Sequence, residues 1–144
     1  VRQILSEKGE TIWKVKENAI VYDALQLMAD QNIGSVLVLN EKDFLVGIFS
    51  ERDYARKVVL QGKRSAETRV GEVMSSSPQS ITPDTRLETC MQMMTEQRFR
   101  HLPVVENEQL IGVISIGDIV KAIIRNQREV IQEMESYIQG QPGF

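Results

Sequence analysis

Two stretches of this chain carry the same order of apolar and polar positions. In the first, Val21, Ala24, Leu25 and Met28 recur at the spacing of one helix face. The continuous apolar run Val36-Leu37-Val38-Leu39 follows, as expected for a strand covered on both sides. Asn40 to Asp43 turns the chain, and Phe44 to Phe49 predicts the returning strand of a hairpin. A helix is then predicted to about Leu60. In the second stretch Leu87, Cys90, Met91 and Met94 repeat the first helix face 66 residues later. Leu102-Pro103-Val104-Val105 repeats the apolar run, Glu106 to Gln109 turns, and Leu110 to Ile114 returns. Val70-Gly71-Glu72-Val73-Met74 echoes Val1 to Leu5. Asn18 and Asp84 stand at matching places before the two helices, where a side-chain oxygen can cap them.

A chain that repeats a whole pattern in order is two copies of one unit. The spacing predicts an α/β (α+β) fold of two pseudo-twofold-related units, each strand, helix, hairpin and helix. The expected boundaries are 1–61 for the first unit, 62–69 for a polar linker, 70–125 for the second unit and 126–144 for a helical extension. A unit of about 60 residues buries too little surface to be comfortable alone. The two copies are therefore expected to pack their sheets together over a shared core, leaving two equivalent clefts at the junction. After the second unit the apolar stripe Ile119, Val120, Ile123, Ile124, Val130, Met134, Tyr137 and Ile138 continues longer than one unit needs, which predicts a homodimer.

Composition removes several function classes. The net charge of −3 is mild and no basic block occurs, which argues against nucleic acid. No apolar run approaches the ~18 residues of a membrane span, and the first residues do not read as a signal peptide. One cysteine and one histidine, Cys90 and His101, supply neither a disulfide nor a zinc cluster. Cys90 shares its helix face with Leu87 and Met94 and reads as a small core residue. The simplest compartment is the cytoplasm. There is no nucleophilic triad, Gly-x-Gly-x-x-Gly or phosphate-binding loop motif, so the chain does not read as an enzyme.

The chemistry concentrates where each hairpin meets its second helix, at Gly47-Ile48-Phe49-Ser50-Glu51-Arg52-Asp53 and Gly112-Val113-Ile114-Ser115-Ile116-Gly117-Asp118. Each places Ser and Asp three apart at a helix start. That spacing is close to a capping box, which serves helix stability alone. It is also an anion-friendly helix N-terminus at a strand end, a common ligand position.

These two junctions, the duplicated units and the run Arg100-His101-Leu102-Pro103-Val104 resemble a tandem pair of CBS domains over residues 1–125. The run Ser50 to Lys57 and the ending Tyr137-Ile138-Gln139-Gly140 are similar to small stand-alone members from bacteria and plant mitochondria. The resemblance implies one module that dimerises into a disc, senses adenine nucleotides such as AMP, ATP or NAD(H), and regulates an unidentified partner. Asp53 and Asp118 would each accept the two hydroxyls of a ribose, with Ser50 and Ser115 at the phosphate or the helix cap. Ile48 and Ile114 would cover an adenine face. By the same resemblance Asp53 faces Pro78, Gln79, Ser80, Phe99, Arg100 and His101, with Arg100 and His101 meeting phosphate. Asp118 faces Ile12, Trp13, Lys14, Ile33, Gly34 and Ser35. The Asp53 cleft is thus expected to take the phosphorylated ligand. Each assignment has a plainer counterpart. His101 can be a surface histidine, Arg52 and Arg56 are either solvated helix charges or part of the phosphate pocket, and Trp13 either stacks on a base or is a core or interface residue. The whole chain can be an interaction scaffold with empty clefts that acts on a redox partner.

Overall fold

In the computed structural model, which describes residues 1–7, 12–76 and 78–139, the elements include the expected hairpins and helices and two short helices that the pattern did not predict. They are α1 (Arg2–Glu7), β1 (Lys14–Lys16), α2 (Val21–Gln31), β2 (Ser35–Leu39), β3 (Leu45–Ser50), α3 (Glu51–Asp53), α4 (Val70–Val73), β4 (Ser75–Ser76), α5 (Leu87–Gln97), β5 (His101–Glu106), β6 (Gln109–Ser115) and α6 (Ile116–Gln139). α3 widens at once into a π-helical stretch, Tyr54–Val59. Both hairpins form as expected: β2 pairs antiparallel with β3, and β5 with β6. β1 adds parallel to β2, and β4 adds antiparallel to β3. In the second unit a single parallel bridge, Ile81 to Val104, holds the place of β1. The repeat extends to irregularities, since both hairpins shift register at matching points, Val38/Leu39 and Val104/Val105.

Neither anticipated cap is used. α2 starts after Ile20, with no side-chain cap. Its first amides instead donate to linker carbonyls, Val21 N to Thr68 O at 2.8 Å and Tyr22 N to Ser65 O at 3.0 Å. Backbone acceptors satisfy the orphan donors that Asn18 was expected to meet. α5 starts after Arg86 without a side-chain cap, and the Asp84 carboxylate is 3.2 Å from Arg2 Nη2 instead.

The expected shared core resolves into two cores. One gathers Val21, Ala24, Met28, Val36, Val38, Phe49 and Val58 of the first unit with Val70 and Val73 of α4. The other gathers Cys90, Met94, Leu102, Val104, Ile114 and Ile119 of the second unit with Ile4 of α1. The two short helices are thus exchanged between units. Backbone bonds hold them there: Arg2 N donates to Pro83 O, while Val70 N and Gly71 N donate to Ala19 O and Glu17 O. Reciprocal exchange explains why two small units act as one module. β2 and β5 are buried on both sides because Val36, Val38, Leu102 and Val104 face their own cores, while Leu37 and Pro103 line the junction cavities.

Cys90 lies fully inside the second core, and burial pushes its thiol above the ordinary value. A thiol reagent at neutral pH is expected to leave the folded protein unmodified and to label Cys90 once denaturant opens this core. Stoichiometric labelling of the native protein, read by intact mass, contradicts this placement.

Candidate functional site

The first Ser-x-x-Asp turn forms because Ser50 ends β3 in extended conformation and caps α3. Its Oγ accepts from Asp53 N at 3.2 Å, and Asp53 Oδ2 accepts from Ser50 N at 3.0 Å. This is the reciprocal capping box. Asp53 does more than cap. Its Oδ2 also accepts from Ser50 Oγ at 3.0 Å, and its Oδ1 accepts from Ser75 Oγ at 3.0 Å. Lys57 Nζ, one helical turn later, lies 3.2 Å from the same oxygen. Asp53 is 6% exposed, so this carboxylate is a buried knot joining the turn, α3 and β4. The second turn repeats the box, with Ser115 N to Asp118 Oδ2 at 2.8 Å and Asp118 N to Ser115 Oγ at 3.1 Å, but Asp118 is only half-buried.

Among the described residues, two cavities open at the junction of the units. The larger, about 660 Å³, is lined by Ile48, Ser50, Arg52 and Asp53 of the first turn and by Pro78, Gln79, Phe99 and His101 of the second unit. Those eight sequence-derived candidates therefore meet. The smaller, about 440 Å³, is lined by Ile12, Trp13, Ile33 and Val113 among others. Gly34, Ser35, Leu37, Ile48, His101 and Pro103 line both, so the cavities adjoin. His101 therefore does not distinguish one from the other.

Other candidates lie elsewhere. Arg100, Ser80, Lys14, Ser115 and Asp118 line neither cavity. Arg100 is exposed, and its carbonyl accepts from Ile116 N at 2.9 Å, as Gly34 O accepts from Glu51 N at 3.1 Å in the first unit. Ile114 does not cover a ligand, because it points into the second core and is fully buried. Strand alternation explains the correction. Ile48 stands two residues before Ser50, and the position two before Ser115 is Val113, which does line the smaller cavity. Ser75 and Lys57 were missed. Lys57 was readable as the i+4 partner of Asp53; Ser75 lies in the serine run 75–77, which gave no hint of contact with Asp53.

The larger cavity has the character of a small-molecule site, with apolar walls from Leu37, Ile48, Phe99 and Pro103 and a few convergent polar groups. An exchanged, duplicated module with a cleft between its units defines a class of paired regulatory domain. The CBS domain model matches residues 2–60 and 70–125, and the chain belongs to the CBS-domain family. It is 40% identical to the mitochondrial CBS domain-containing protein CBSX3 of Arabidopsis thaliana, over 94% of this chain and 67% of that protein. It is 34% identical to YhcV of Bacillus subtilis, over 78% of this chain and 79% of that protein. A solved protein with CBS domains from Burkholderia ambifaria is 50% identical over 88% of this chain and 95% of its own, with a TM-score of 0.73. A structure of CBSX2 in complex with AMP is 26% identical over 86% of this chain and 97% of its own, with a TM-score of 0.71.

Proposed function

We propose that this chain is a regulatory module, not an enzyme, which binds an adenine nucleotide in the Asp53 cleft and works as a homodimer on a partner protein in the cytoplasm. The observation that carries the reading is the larger cavity, where the Ser50-x-x-Asp53 turn of one unit faces Pro78, Gln79, Phe99 and His101 of the other. A volume of about 660 Å³ lies within the ~300–1,000 Å³ range of small-molecule sites. Phe99 and Ile48 supply flat apolar surface for a base. Asp53 offers acceptors to a ribose, and Arg52 a guanidinium to a phosphate. AMP in the similar CBSX2 structure supports the ligand class. Among AMP, ATP and NAD(H), AMP is the first to test.

One observation favours the scaffold reading. Asp53 is already satisfied by Ser50, Ser75 and Lys57, so the fold uses this carboxylate without a ligand. The readings separate in a melting experiment, because a ligand that binds only the folded state raises the melting temperature by mass action. Saturating AMP, about a hundredfold above its dissociation constant, is expected to add about 2.7 kcal/mol of apparent stability. An unchanged melting temperature with AMP, ATP, NAD⁺ and NADH alike leaves the scaffold.

A further inference from the structure

The helices that follow the two Ser-x-x-Asp turns differ in one respect. After Asp118 the chain runs on as the regular α-helix α6. After Asp53 it widens into the π-helical stretch Tyr54–Val59, where Leu60 N donates to Ala55 O at 3.1 Å across the wide turn. Such widenings are rare and occur often at functional sites. The two sequences show what stands at this one. Four residues after Asp118 comes Ala122, buried in the second core. Four residues after Asp53 comes Lys57. A regular α-helical turn there would aim a lysine where Ala122 points, and an ammonium in apolar surroundings is costly without a partner. A turn that holds more residues steps through a smaller angle at each. Val58 takes the core position at 1% exposure, and the Lys57 side chain stays 44% exposed.

Two oxygens hold Lys57 in that place. Its Nζ lies 3.2 Å from Asp53 Oδ1 and donates to Met74 O at 3.4 Å. Asp53 Oδ2 is engaged within its own turn, by Ser50 N and Ser50 Oγ. Oδ1 is the oxygen shared with Ser75 of β4. Lys57 does not itself line the larger cavity, whereas Asp53 does, so any effect on a ligand passes through the carboxylate. We propose that Lys57 is a positioning residue: its ammonium fixes Asp53 Oδ1 for ribose hydroxyls, and the π-helical turn is what delivers it there. The inference rests on the nucleotide reading above and names what the Asp53 cleft selects, a ligand with free ribose hydroxyls over one without them.

Calorimetry with AMP and with 2′,3′-dideoxy-AMP tests it, each titration run well below the melting temperature of the variant used. The wild-type chain is expected to prefer AMP at least about tenfold, the contribution of one hydrogen bond to a charged group. Lys57→Met is expected to cut that preference to about threefold or less by weakening AMP, with the dideoxy ligand held within about twofold. A merely structural role would weaken both ligands alike. Lys57→Arg keeps a cation within reach of both oxygens and is expected to keep most of the preference. Lys57→Gln retains an N–H donor without the charge, replaces the Met variant if that one does not fold, and is likewise expected to lose preference. An unchanged preference in the neutral variants, or equal weakening of the two ligands, overturns the proposal and leaves the nucleotide reading standing. Equal binding of the two ligands by the wild-type chain also overturns it. A wild-type chain that binds neither ligand removes the nucleotide reading, and the proposal with it.

Discussion

Replacing Asp53 by alanine is expected to weaken AMP binding by about ten- to a hundredfold, whereas Asp118→Ala leaves it within about twofold. The reason lies in what each carboxylate faces. Asp53 lines the larger cavity beside Arg52 and opposite Phe99 and His101, while Asp118 lines neither cavity. A hydrogen bond to a charged group contributes about 1.5–3 kcal/mol, and each 1.4 kcal/mol is about a factor of ten in affinity. On the proposed reading a ribose hydroxyl would reach Asp53 Oδ1 by exchanging with the Ser75 hydroxyl now bonded there, one O–H donor for another. The exchange conserves the number of hydrogen bonds, so it proceeds without leaving the buried oxygen unmet. Asp53→Ala also removes the capping box, at about 1 kcal/mol, so binding is measured by calorimetry well below the variant's melting temperature. Asp53→Asn keeps the side chain's volume and serves as the second variant. If Asp118→Ala is the one that loses the tight event, the ligand sits in the other cleft.

That exchange also gives a route from ligand to fold. Ser75 belongs to β4, which pairs with β3 through Gly47 to Ser76 and Ile48 to Ser75. Lys57, beside Asp53, also reaches the carbonyl of Met74 at 3.4 Å. A ligand that releases Ser75 therefore acts on the strand that follows α4, the helix exchanged into the first core. On the proposed reading, cleft occupancy and the packing between units would share one buried carboxylate.

Much of this was legible in the chain because it was written twice. The helix faces at Val21 and Leu87, the two hairpins and the two Ser-x-x-Asp turns follow from local spacing, and local spacing is what a sequence displays. The exchange of α1 and α4 was not. Val1–Leu5 and Val70–Met74 echo one another, but which core each enters depends on the path of the chain through space. The caps failed for a related reason, since carbonyls of Ser65 and Thr68, more than forty residues downstream, do the work expected of Asn18. Ile114 was a misreading by one residue, and on a strand one residue reverses the face. Ser75 needed the β3–β4 pairing, which no pattern in a two-residue strand announces.

Gly47→Ala is expected to destabilise the protein by about 2–3 kcal/mol, and Gly112→Ala by clearly less. These glycines open the two repeated junctions, and both sit where an exchanged segment crosses the hairpin. A β-carbon on Gly47 would lie 2.4 Å from Met74 Sδ and 2.9 Å from the backbone oxygen of Ser75. One on Gly112 would meet only the tip of a side chain closely, Leu5 Cδ2 at 2.4 Å. Overpacking a filled site costs about 1–3 kcal/mol, and the value depends on what can move. Leu5 can turn its side chain. The Ser75 carbonyl is fixed by β4, so a methyl group at Gly47 must push that strand off β3 and with it the Ser75 hydroxyl off Asp53. For a chain of this length, each kcal/mol lowers the melting temperature by about 2–4 °C, so a drop of roughly 5–10 °C is expected for Gly47→Ala. Calorimetry on the two variants decides: equal losses, or a larger loss at Gly112, would mean that the contact with the Ser75 backbone does not set the cost.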